Sequence, residues 1–297
     1  MVPSLESTIQ DIRSLKIQGA EAISVSALYA LNNICTWGGG RKCTYVNVIK
    51  AKKRLAATRP TEPCMRNAMR YVLYGLDETT FSKKVFAGRI SDVLSFFKES
   101  GDKIAKYGRQ TIKNKTVVFT HCHSSAVVNI LICAKKAGEI FSVTNTEVRP
   151  RFQGRITAKE LSKAGIFVKH YVDSGAKIAL SESDVFLMGC DAITPKYIVN
   201  KIGSGMFSDI AVSQKVPVYV CTNSWKFDPL TLKSDEPIEQ RPRVEVWKTP
   251  PKLTQVRNPA FEMVFNKNIS GIITELGILK PKEFIKRMKK KQQWMFD

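Results

Sequence analysis

The chain has 297 residues, of which 47 are Lys or Arg and 26 are Asp or Glu, so its formal net charge is +21. A hydrophobic content of 43% with 25% charged residues is ordinary for a folded globular protein and argues against general disorder. The length exceeds that of a usual single domain, so two domains are expected. The excess of positive charge predicts an anionic partner: nucleic acid, an acidic protein or a phosphorylated small molecule.

The composition also bears on the compartment in which the protein works. No apolar run approaches the roughly 18–20 residues that span a bilayer, and the first residues lack the basic-then-apolar layout of a signal peptide. The seven cysteines, Cys35 and Cys43 among them, contain no close CxxC pair and fit reduced thiols better than a disulfide framework or a structural zinc site. We therefore expect a cytoplasmic protein without a membrane contact.

Apolar residues at helical spacing predict that the first part of the chain is made of helices. Two helices are predicted between residues 4 and 33, with a break at Gly19. Further helices are predicted over residues 46–57, 62–73 and 82–112. We therefore expect residues 1–114 to form an N-terminal helical domain.

Short apolar runs alternate with helical segments from Lys115 onward. Strands are predicted at residues 117–120, 141–144, 168–172, 184–188, 216–221 and 271–274. Helices are predicted between the earlier strands, at residues 126–136, 158–164 and 202–214. This alternation predicts an α/β fold whose mostly parallel sheet is covered on both faces. Residues 222–259, rich in Pro and charge, are expected to cross the surface.

Polar side chains follow nearly every predicted strand, at the edge of a parallel sheet where ligands bind. The first strand leads into His121, Cys122, His123, Ser124 and Ser125, and the later ones into Glu147, Arg149, Asp173, Ser174, Asp191, Asn223, Lys226 and Glu275. Ser124 and Ser125 lie where a helix N-terminus could hold a phosphate. Polar strand ends also occur in parallel sheets without a site, so this pattern is an indication only.

Cys122 and Asp191 are the candidate catalytic residues. Cys122 lies between a strand and a helix, where the N-terminal end of the helix dipole favours a thiolate. Asp191 follows the apolar run 185–189, which predicts a carboxylate at the mouth of a dry pocket. A thiol and a carboxylate in one site can share proton transfers on a substrate. His121 and His123 do not predict a metal site, because alternate residues leaving a strand point apart, and no cofactor is expected.

Seven short segments occur in an order that resembles one protein family. They are TRPT at 58–61, THCHS at 120–124, TEVRP at 146–150, GCDA at 189–192, VNKIG at 199–203, KF at 226–227 and TELG at 274–277. The family unites aldose-phosphate isomerases, such as ribose-1,5-bisphosphate isomerase and methylthioribose-1-phosphate isomerase, with the alpha, beta and delta subunits of translation initiation factor 2B. The order looks like that of the archaeal ribose-1,5-bisphosphate isomerases, and the resemblance covers nearly the whole chain.

The resemblance implies an architecture and a set of site residues. After the helical domain, residues 115–297 would form a Rossmann-like sugar-phosphate-binding domain, and homo-oligomers, dimers or hexamers, would assemble largely through that half. Cys122 and Asp191 match the catalytic Cys and Asp of the isomerases. Residues implied to bind phosphates and sugar hydroxyls are Gly19, Ala20, Arg59, Ser124, Arg149, Asn200, Lys201 and Lys226.

By the same resemblance the protein is an aldose–ketose isomerase acting on a ribose phosphate, like the enzyme that makes ribulose 1,5-bisphosphate. Its partners would be the sugar-phosphate substrate and AMP as an activator. Our hypothesis is that Asp191 handles hydroxyl protons as the furanose ring opens and closes, while Cys122 moves the proton between C1 and C2. Retention of both residues favours catalysis, since the initiation-factor subunits often lack one or both.

The alternative is a non-catalytic archaeal initiation factor 2B-like subunit that binds a sugar phosphate or nucleotide and contacts initiation factor 2. The isomerases read Arg-Gly-Ala-Gly near the start, with an Arg on the next helix turn, whereas this chain has Gln18, Glu21 and Val25 at the differing positions. Two lost phosphate contacts cost about 1.5–3 kcal/mol each. A third alternative, an RNA-binding protein, requires a continuous basic face, and aromatic residues that stack on bases are sparse in the basic stretch 41–70.

Overall fold

The structure, a computed structural model, describes residues 4–36, 43–229 and 239–296. These ranges contain ten α-helices and ten β-strands. The helices are α1 (Leu5–Arg13), α2 (Ala20–Thr36), α3 (Tyr45–Ala56), α4 (Pro63–Tyr71), α5 (Lys83–Gly108), α6 (Ser125–Lys136), α7 (Gln153–Lys163), α8 (Ala176–Ser181), α9 (Ser204–Ser213) and α10 (Pro281–Lys291). The strands are β1 (Val117–Thr120), β2 (Ser142–Thr146), β3 (Phe167–Tyr171), β4 (Val185–Met188), β5 (Ala192–Ile193), β6 (Tyr197–Lys201), β7 (Val218–Cys221), β8 (Phe261–Phe265), β9 (Gly271–Thr274) and β10 (Gly277–Leu279).

The large sheet has seven strands in the order β10-β9-β7-β4-β1-β2-β3. Every neighbouring pair is parallel except β9 and β10, which are antiparallel. Helices α6, α7 and α8 connect β1 to β2, β2 to β3 and β3 to β4. Such crossovers bring the carboxyl ends of the parallel strands to the same edge of the sheet. The α/β fold with a mostly parallel sheet is therefore confirmed.

A second sheet, with the antiparallel order β5-β6-β8, was not predicted. The first of its strands has only two residues, and the last begins just after the segment that was expected to cross the surface. The other two strands have five residues, and all three are stabilised by cross-strand pairing and burial more than by a local pattern, so a sequence window does not reveal them. This small sheet is important for the site because the pairing of β5 with β6 fixes the position of the segment that follows β4.

The helices of the first part begin where the sequence offers an N-cap and pack on the sheet. The hydroxyl oxygens of Ser4, Thr44 and Ser82 accept hydrogen bonds from backbone amides three residues on, at 3.1, 3.3 and 3.2 Å. One hydrophobic core runs from Ile12 in α1 through Phe119 in the sheet to helix α10. The five predicted helices are confirmed as α1 to α5, while the domain boundary at residue 114 stays a prediction.

The expectation that all cysteines are reduced thiols is wrong for Cys35 and Cys43. These two residues form a disulfide, with their Cα atoms 4.3 Å apart. Cys35 lies in the last turn of α2 and Cys43 just before α3, so the disulfide links the ends of these two helices. A separation of eight residues gave no recognisable pairing signal in the sequence.

Among the described residues, none of the helices has both the length and the apolar composition that crossing a bilayer requires.

Helix α4 is held against the turn that follows β7 by buried side chains. The Nδ2 atom of Asn67 donates hydrogen bonds to the carbonyl oxygens of Trp225 and Phe227, both at 2.8 Å. Nearby, the Arg66 guanidinium donates to the buried carboxylate of Asp228 at 2.6 Å. These bonds join the helical first part of the chain to a strand end of the sheet.

We predict that Asn67→Ala lowers the free energy of unfolding by about 2–4 kcal/mol, because two hydrogen bonds are lost and two carbonyl groups are left unpaired in the interior. Urea denaturation followed by circular dichroism measures this change. Asn129→Ala, at an exposed position on α6, is the matched control and should alter the free energy by less than about 0.5 kcal/mol. Equal effects of the two substitutions would contradict the anchoring role of Asn67.

Candidate active site

The candidate catalytic residues lie at the point where the strand order reverses. The chain runs from β1 outward to β2 and β3, then returns to place β4 on the other side of β1. Cys122 follows β1 and Asp191 follows β4, so the two flank this reversal at the carboxyl edge. In open α/β sheets this is the crevice in which ligands bind. The next strand, β7, leads into the turn that carries Lys226.

Cys122 is a half-buried thiol between β1 and α6, with a left-handed backbone φ of 70°. Burial raises its pKa to about 11, and the Asp191 carboxylate contributes to this rise, while Lys201 acts in the opposite direction. The expectation that the helix dipole produces a resting thiolate is therefore wrong, because loss of solvent outweighs it. Cys122 is a protonated thiol at neutral pH, and the charge of Asp191 contributes to holding its proton.

Asp191 is fixed by its backbone and surrounded by titratable groups. Its amide donates to the carbonyl oxygen of Val199 in β6 at 2.9 Å, so the small sheet holds this segment. The Asp191 charge acts on the pKa of Lys226 and of Glu62 as well as on that of Cys122. A carboxylate that influences a thiol, an ammonium and a second carboxyl group is placed to exchange protons with a bound ligand.

Lys226 is a cation that points into the same cluster. Its Nζ atom donates to the carbonyl oxygen of Cys190, next to Asp191. Burial by itself would lower the pKa of Lys226, but nearby groups, including Cys190, Asp191 and Glu62, raise it above its ordinary value. Lys226 therefore stays charged at neutral pH and can attract an anionic substrate.

Arg59 and Glu62 enter the cluster from the loop before α4. The Nε atom of Arg59 is buried without a hydrogen-bond partner, and its guanidinium lies 4.0 Å from the Glu239 carboxylate. Glu62 is 2% exposed and lies directly before the helix. Burial and the Asp191 charge raise the pKa of Glu62 to about 7, although Lys226 and Arg59 oppose this rise. The sequence prediction included Arg59 and missed Glu62, which stands immediately after the TRPT segment.

The start of helix α2 also faces the cluster. Gly19 has a φ of 87°, which favours glycine, and Ala20 begins the helix as a buried residue. Burial raises the pKa of Glu21, and the charge of Lys226 acts against that rise. Glu21, an acid where the isomerases have glycine, therefore lies within electrostatic range of Lys226.

Three predicted binding residues line the region around Cys122. The Lys201 charge reaches the Cys122 thiol, and its Nζ atom lies 5.0 Å from the centroid of the Phe261 ring. Asn200 is buried and donates from Nδ2 to the Ser204 hydroxyl at 2.8 Å. Ser124 is the N-cap of α6. Ser124 thus lies two residues from the candidate thiol and Lys201 lies within electrostatic range of it, while Asn200 is engaged with α9.

Arg149 is the predicted binding residue that the structure places differently. Its side chain is exposed, and its guanidinium lies over the Phe152 ring, 5.3 Å from the centroid. Its backbone amide donates to Asp173 at 2.7 Å, and the peptide bond that joins it to Pro150 is cis. The described contacts of Arg149 therefore lie within the loop after β2, and they do not join its guanidinium to Asp191.

The histidines beside Cys122 have structural partners. His121 is buried between the Thr146 hydroxyl, 2.6 Å from Nδ1, and the Ile202 carbonyl oxygen, 2.9 Å from Nε2. Burial lowers its pKa to about 4, so His121 is neutral. His123 Nδ1 lies 3.1 Å from the Thr157 hydroxyl. Within the described part of the chain, no group of three or more His, Cys, Asp or Glu residues is arranged to hold a metal ion.

Comparisons with known proteins place the chain in one family. Residues 16–281 match the Initiation factor 2 subunit family. The ribose 1,5-bisphosphate isomerase of Methanocaldococcus jannaschii is 33% identical, with 93% of this chain and 92% of that protein covered. The methylthioribose-1-phosphate isomerase of Pelotomaculum thermopropionicum is 31% identical, with coverages of 91% and 81%.

Solved structures show the same fold. The Pyrococcus horikoshii translation initiation factor eIF-2B superposes with a TM-score of 0.84 at 24% identity, covering 94% of this chain and 98% of that one. The 5-methylthioribose 1-phosphate isomerase of the same organism gives a TM-score of 0.78 at 24% identity, with coverages of 97% and 88%. With the match over most of its length and its isomerase relatives, the chain belongs to the Initiation factor 2 subunit family.

Proposed function

We propose that this protein is an aldose–ketose isomerase that acts on a ribose phosphate, with Cys122 and Asp191 as its catalytic residues. The observation that carries the proposal is the position of Cys122 after β1 and Asp191 after β4, which are parallel neighbours at the reversal of strand order, with Lys226 bonded to the carbonyl oxygen of Cys190 next to Asp191. Relatives that are named ribose 1,5-bisphosphate isomerase and methylthioribose-1-phosphate isomerase support a sugar-phosphate isomerase activity. We infer ribose 1,5-bisphosphate as the substrate and ribulose 1,5-bisphosphate as the product.

The reaction requires two proton movements, for which the site offers two groups. Breaking the C1–O4 bond of the furanose requires a proton on O4. Forming the C2 carbonyl releases the proton of O2. We assign both the delivery of the first proton and the uptake of the second to Asp191. The second proton leaves C2 and arrives at C1, which we assign to Cys122. Hydrogen is only redistributed within the sugar, so this reaction needs no external oxidant or reductant.

The raised pKa of Cys122 sets a condition on this mechanism. The thiol must ionise before it can remove the C2 proton, and the charge of Lys201 acts in that direction. After taking the proton, the same thiol is a suitable acid for protonating C1. Lys201 is therefore proposed to assist Cys122 as well as to bind the substrate.

Phosphate binding is proposed for the cations and helix ends of the site. The buried and unpartnered Nε of Arg59 would be satisfied by a phosphate oxygen. Lys226 adds charge, and Ser124 lies at the N-terminus of α6, where amide groups favour an anion. The remaining proposed binding residues are Gly19, Ala20, Arg149, Asn200 and Lys201. A cytoplasmic location, a dimeric or hexameric assembly and activation by AMP are proposed from the family resemblance.

The second candidate function is a ligand-sensing subunit of the initiation factor 2B type that contacts initiation factor 2. The observation that favours it is the start of α2, where Gln18, Glu21 and Val25 replace two arginines and a glycine of the isomerases. Glu21 lies within electrostatic range of Lys226 and weakens the attraction of this end of the site for phosphate. Catalysis is preferred because both members of the Cys and Asp pair are present, each after one of two neighbouring parallel strands.

We predict that the purified protein converts α-ribose 1,5-bisphosphate to ribulose 1,5-bisphosphate. Cys122→Ser and Asp191→Asn should each lower kcat by about 10²–10⁴-fold, because each removes a proton-transfer group. Product formation followed by ³¹P NMR measures the change.

The controls keep the same chemistry at positions outside the site. Cys133→Ser, at a free cysteine on α6, and Asp92→Asn, at an exposed position on α5, should retain wild-type rates. Absence of turnover in the wild-type protein, together with thermal stabilisation by sugar phosphates or AMP, would rule out the isomerase and favour the sensing subunit.

We also predict that Cys122 reacts with iodoacetamide as a thiol of raised pKa. At pH 8 a thiol with a pKa of about 11 has roughly 10²-fold less thiolate than an ordinary cysteine. The alkylation rate of Cys122, followed by peptide mass spectrometry, should keep rising above pH 9, and Lys201→Gln should slow it further. A rate that levels off below pH 8 would show a thiolate and contradict this description; the urea-unfolded chain supplies the ordinary thiol as reference.

A further inference from the structure

The segment 239–260 lies against the carboxyl edge of the large sheet and carries charged side chains to which the proposed reaction assigns no role. The Arg151 guanidinium, in the loop after β2, donates to the Glu245 carboxylate at 2.8 Å. The last residue of the segment accepts a hydrogen bond from the Ile202 amide at 3.1 Å, and the Ile202 carbonyl oxygen lies 2.9 Å from His121, directly after β1. The segment therefore forms part of the wall around the strand ends.

Backbone pairing within the segment places Glu239 and Arg241 on one side of it. The Arg241 amide donates to the carbonyl oxygen of Asn258, and the Ala260 amide donates to that of Glu239, both at 2.8 Å. In extended backbone, side chains two residues apart point to the same side. The contact between the Glu239 Oε1 atom and the Arg241 Nε atom, at 3.2 Å, agrees with this arrangement.

Two largely buried guanidinium groups share the carboxylate of Glu239. The side chains of Arg59 and Arg241 are 11% and 13% exposed. The Oε2 atom of Glu239 lies 4.0 Å from Nη2 of Arg59, which is beyond hydrogen-bond distance, and this oxygen is buried without a hydrogen-bond partner. One carboxylate balances one of the two guanidinium charges, so an excess of one positive charge remains.

The guanidinium of Arg59 lacks the acceptors that such a group requires. An arginine side chain has five N–H donors, and a buried charged group without hydrogen bonds is costly. Across residues 4–36, 43–229 and 239–296, the structure describes no hydrogen bond from this side chain, and its Nε atom is buried. The described contact of Arg241 with Glu239 uses Nε, so the two terminal nitrogens of Arg241 remain for a second acceptor.

The next carboxylate of the segment is committed to other partners. One oxygen of Glu245 accepts from Arg151 at 2.8 Å, and the other accepts from Nδ2 of Asn258 at 3.2 Å. Burial, together with the charges of Arg59 and Arg151, lowers the pKa of Arg241, although the two glutamates of the segment oppose this change. Arg241 is therefore a cation with too little negative charge around it.

The loop that carries Arg59 is fixed against the turn that carries Lys226. The Arg66 guanidinium donates both to the carbonyl oxygen of Pro60, directly after Arg59, and to the carboxylate of Asp228, at 2.6 Å from the latter. Asp228 lies two residues after Lys226. The guanidinium pair of Arg59 and Arg241 thus belongs to the same end of the fold as the cation already proposed to attract the substrate.

We propose that Arg241 and Arg59 together bind one phosphate group of the substrate, while Glu239 holds the two guanidinium groups in position. The inference rests on the proposed isomerase function and adds a binding residue from a segment that was expected only to cross the surface.

A phosphate group has the charge and the geometry that the pair lacks. A phosphate monoester carries about 1.5–2 negative charges at pH 7. The planar fork of a guanidinium group donates two parallel hydrogen bonds to phosphate oxygens. One phosphate therefore supplies both the missing negative charge and acceptors for the donors that Glu239 does not reach.

The test is the affinity of the purified protein for three probes, measured by isothermal titration calorimetry: ribulose 1,5-bisphosphate, ribose 5-phosphate and ribose 1-phosphate. Arg241→Gln should weaken binding of the bisphosphate about 10–10²-fold, the loss expected when a charge-assisted hydrogen bond is removed. It should weaken one of the two monophosphates by a similar factor and leave the other nearly unchanged, because Arg241 contacts one phosphate only. The affected monophosphate identifies that phosphate.

Three further variants control for general charge and for the pairing with Arg59. Arg243→Gln removes the same charge at an exposed position two residues further along and should bind all three probes like the wild type. Arg241→Lys keeps the charge but loses the fork, so it should weaken binding less than Arg241→Gln. Arg59→Gln should affect the same monophosphate, and the double variant should lose less than the product of the two single effects.

The results that would overturn the inference are distinct from those that would overturn the isomerase. Equal weakening of both monophosphates by Arg241→Gln, wild-type affinity in that variant, or a wild-type protein that binds none of the probes would each contradict the phosphate site. Turnover by the wild type with an unchanged KM in Arg241→Gln would keep the isomerase and remove the site. Absence of turnover, with binding that still depends on Arg241, would contradict the isomerase and keep the site.

Discussion

The candidate site depends on the docking of helix α4 against the turn after β7. The two hydrogen bonds from Asn67 to the carbonyl groups of Trp225 and Phe227 hold these elements together. The loop before α4 then delivers Arg59 and Glu62 to the carboxyl edge of the sheet, beside Lys226. Neither the helical first part nor the sheet contains the whole cluster, so the site exists only where the two meet.

Burial gives the cluster its chemical character. Loss of solvent raises the pKa of the Cys122 thiol and of the Glu62 carboxyl group, so both are disposed to hold protons. Lys226 keeps its charge because nearby groups, Cys190, Asp191 and Glu62 among them, raise its pKa above the ordinary value. Groups that carry protons next to fixed cations suit the isomerisation of an anionic sugar phosphate, because this reaction moves protons and creates no net charge. The same electrostatics would also suit a subunit that only senses such a ligand. A measurement of turnover therefore distinguishes an isomerase from a sensing subunit.

The sequence was informative where local pattern and topology agree. Strands β1 and β9 lie at their predicted bounds, and the strand-end rule selected Cys122 and Asp191 before any contact was known. The sequence predictions were incomplete or wrong where contacts between residues far apart in the chain determine the structure. The burial of Glu62 comes from contacts with segments far along the chain, and the thiolate prediction for Cys122 considered the helix dipole but not the loss of solvent. Strands β5, β6 and β8 are defined by their antiparallel pairing with one another, which no local pattern shows. The disulfide between Cys35 and Cys43 likewise depends on the approach of two thiols in the folded chain.

The proposed isomerase requires that one sugar phosphate binds between the thiol of Cys122 and the carboxyl group of Asp191. A crystal structure of the protein with ribulose 1,5-bisphosphate bound tests it most directly. We predict that C1 and C2 of the sugar lie about 3–3.5 Å from the Cys122 sulfur, the distance of a reactive complex, with the C2 oxygen hydrogen-bonded to Asp191 and the phosphates on Arg59 and Lys226. A ligand that binds with its sugar carbons away from both Cys122 and Asp191 would contradict it.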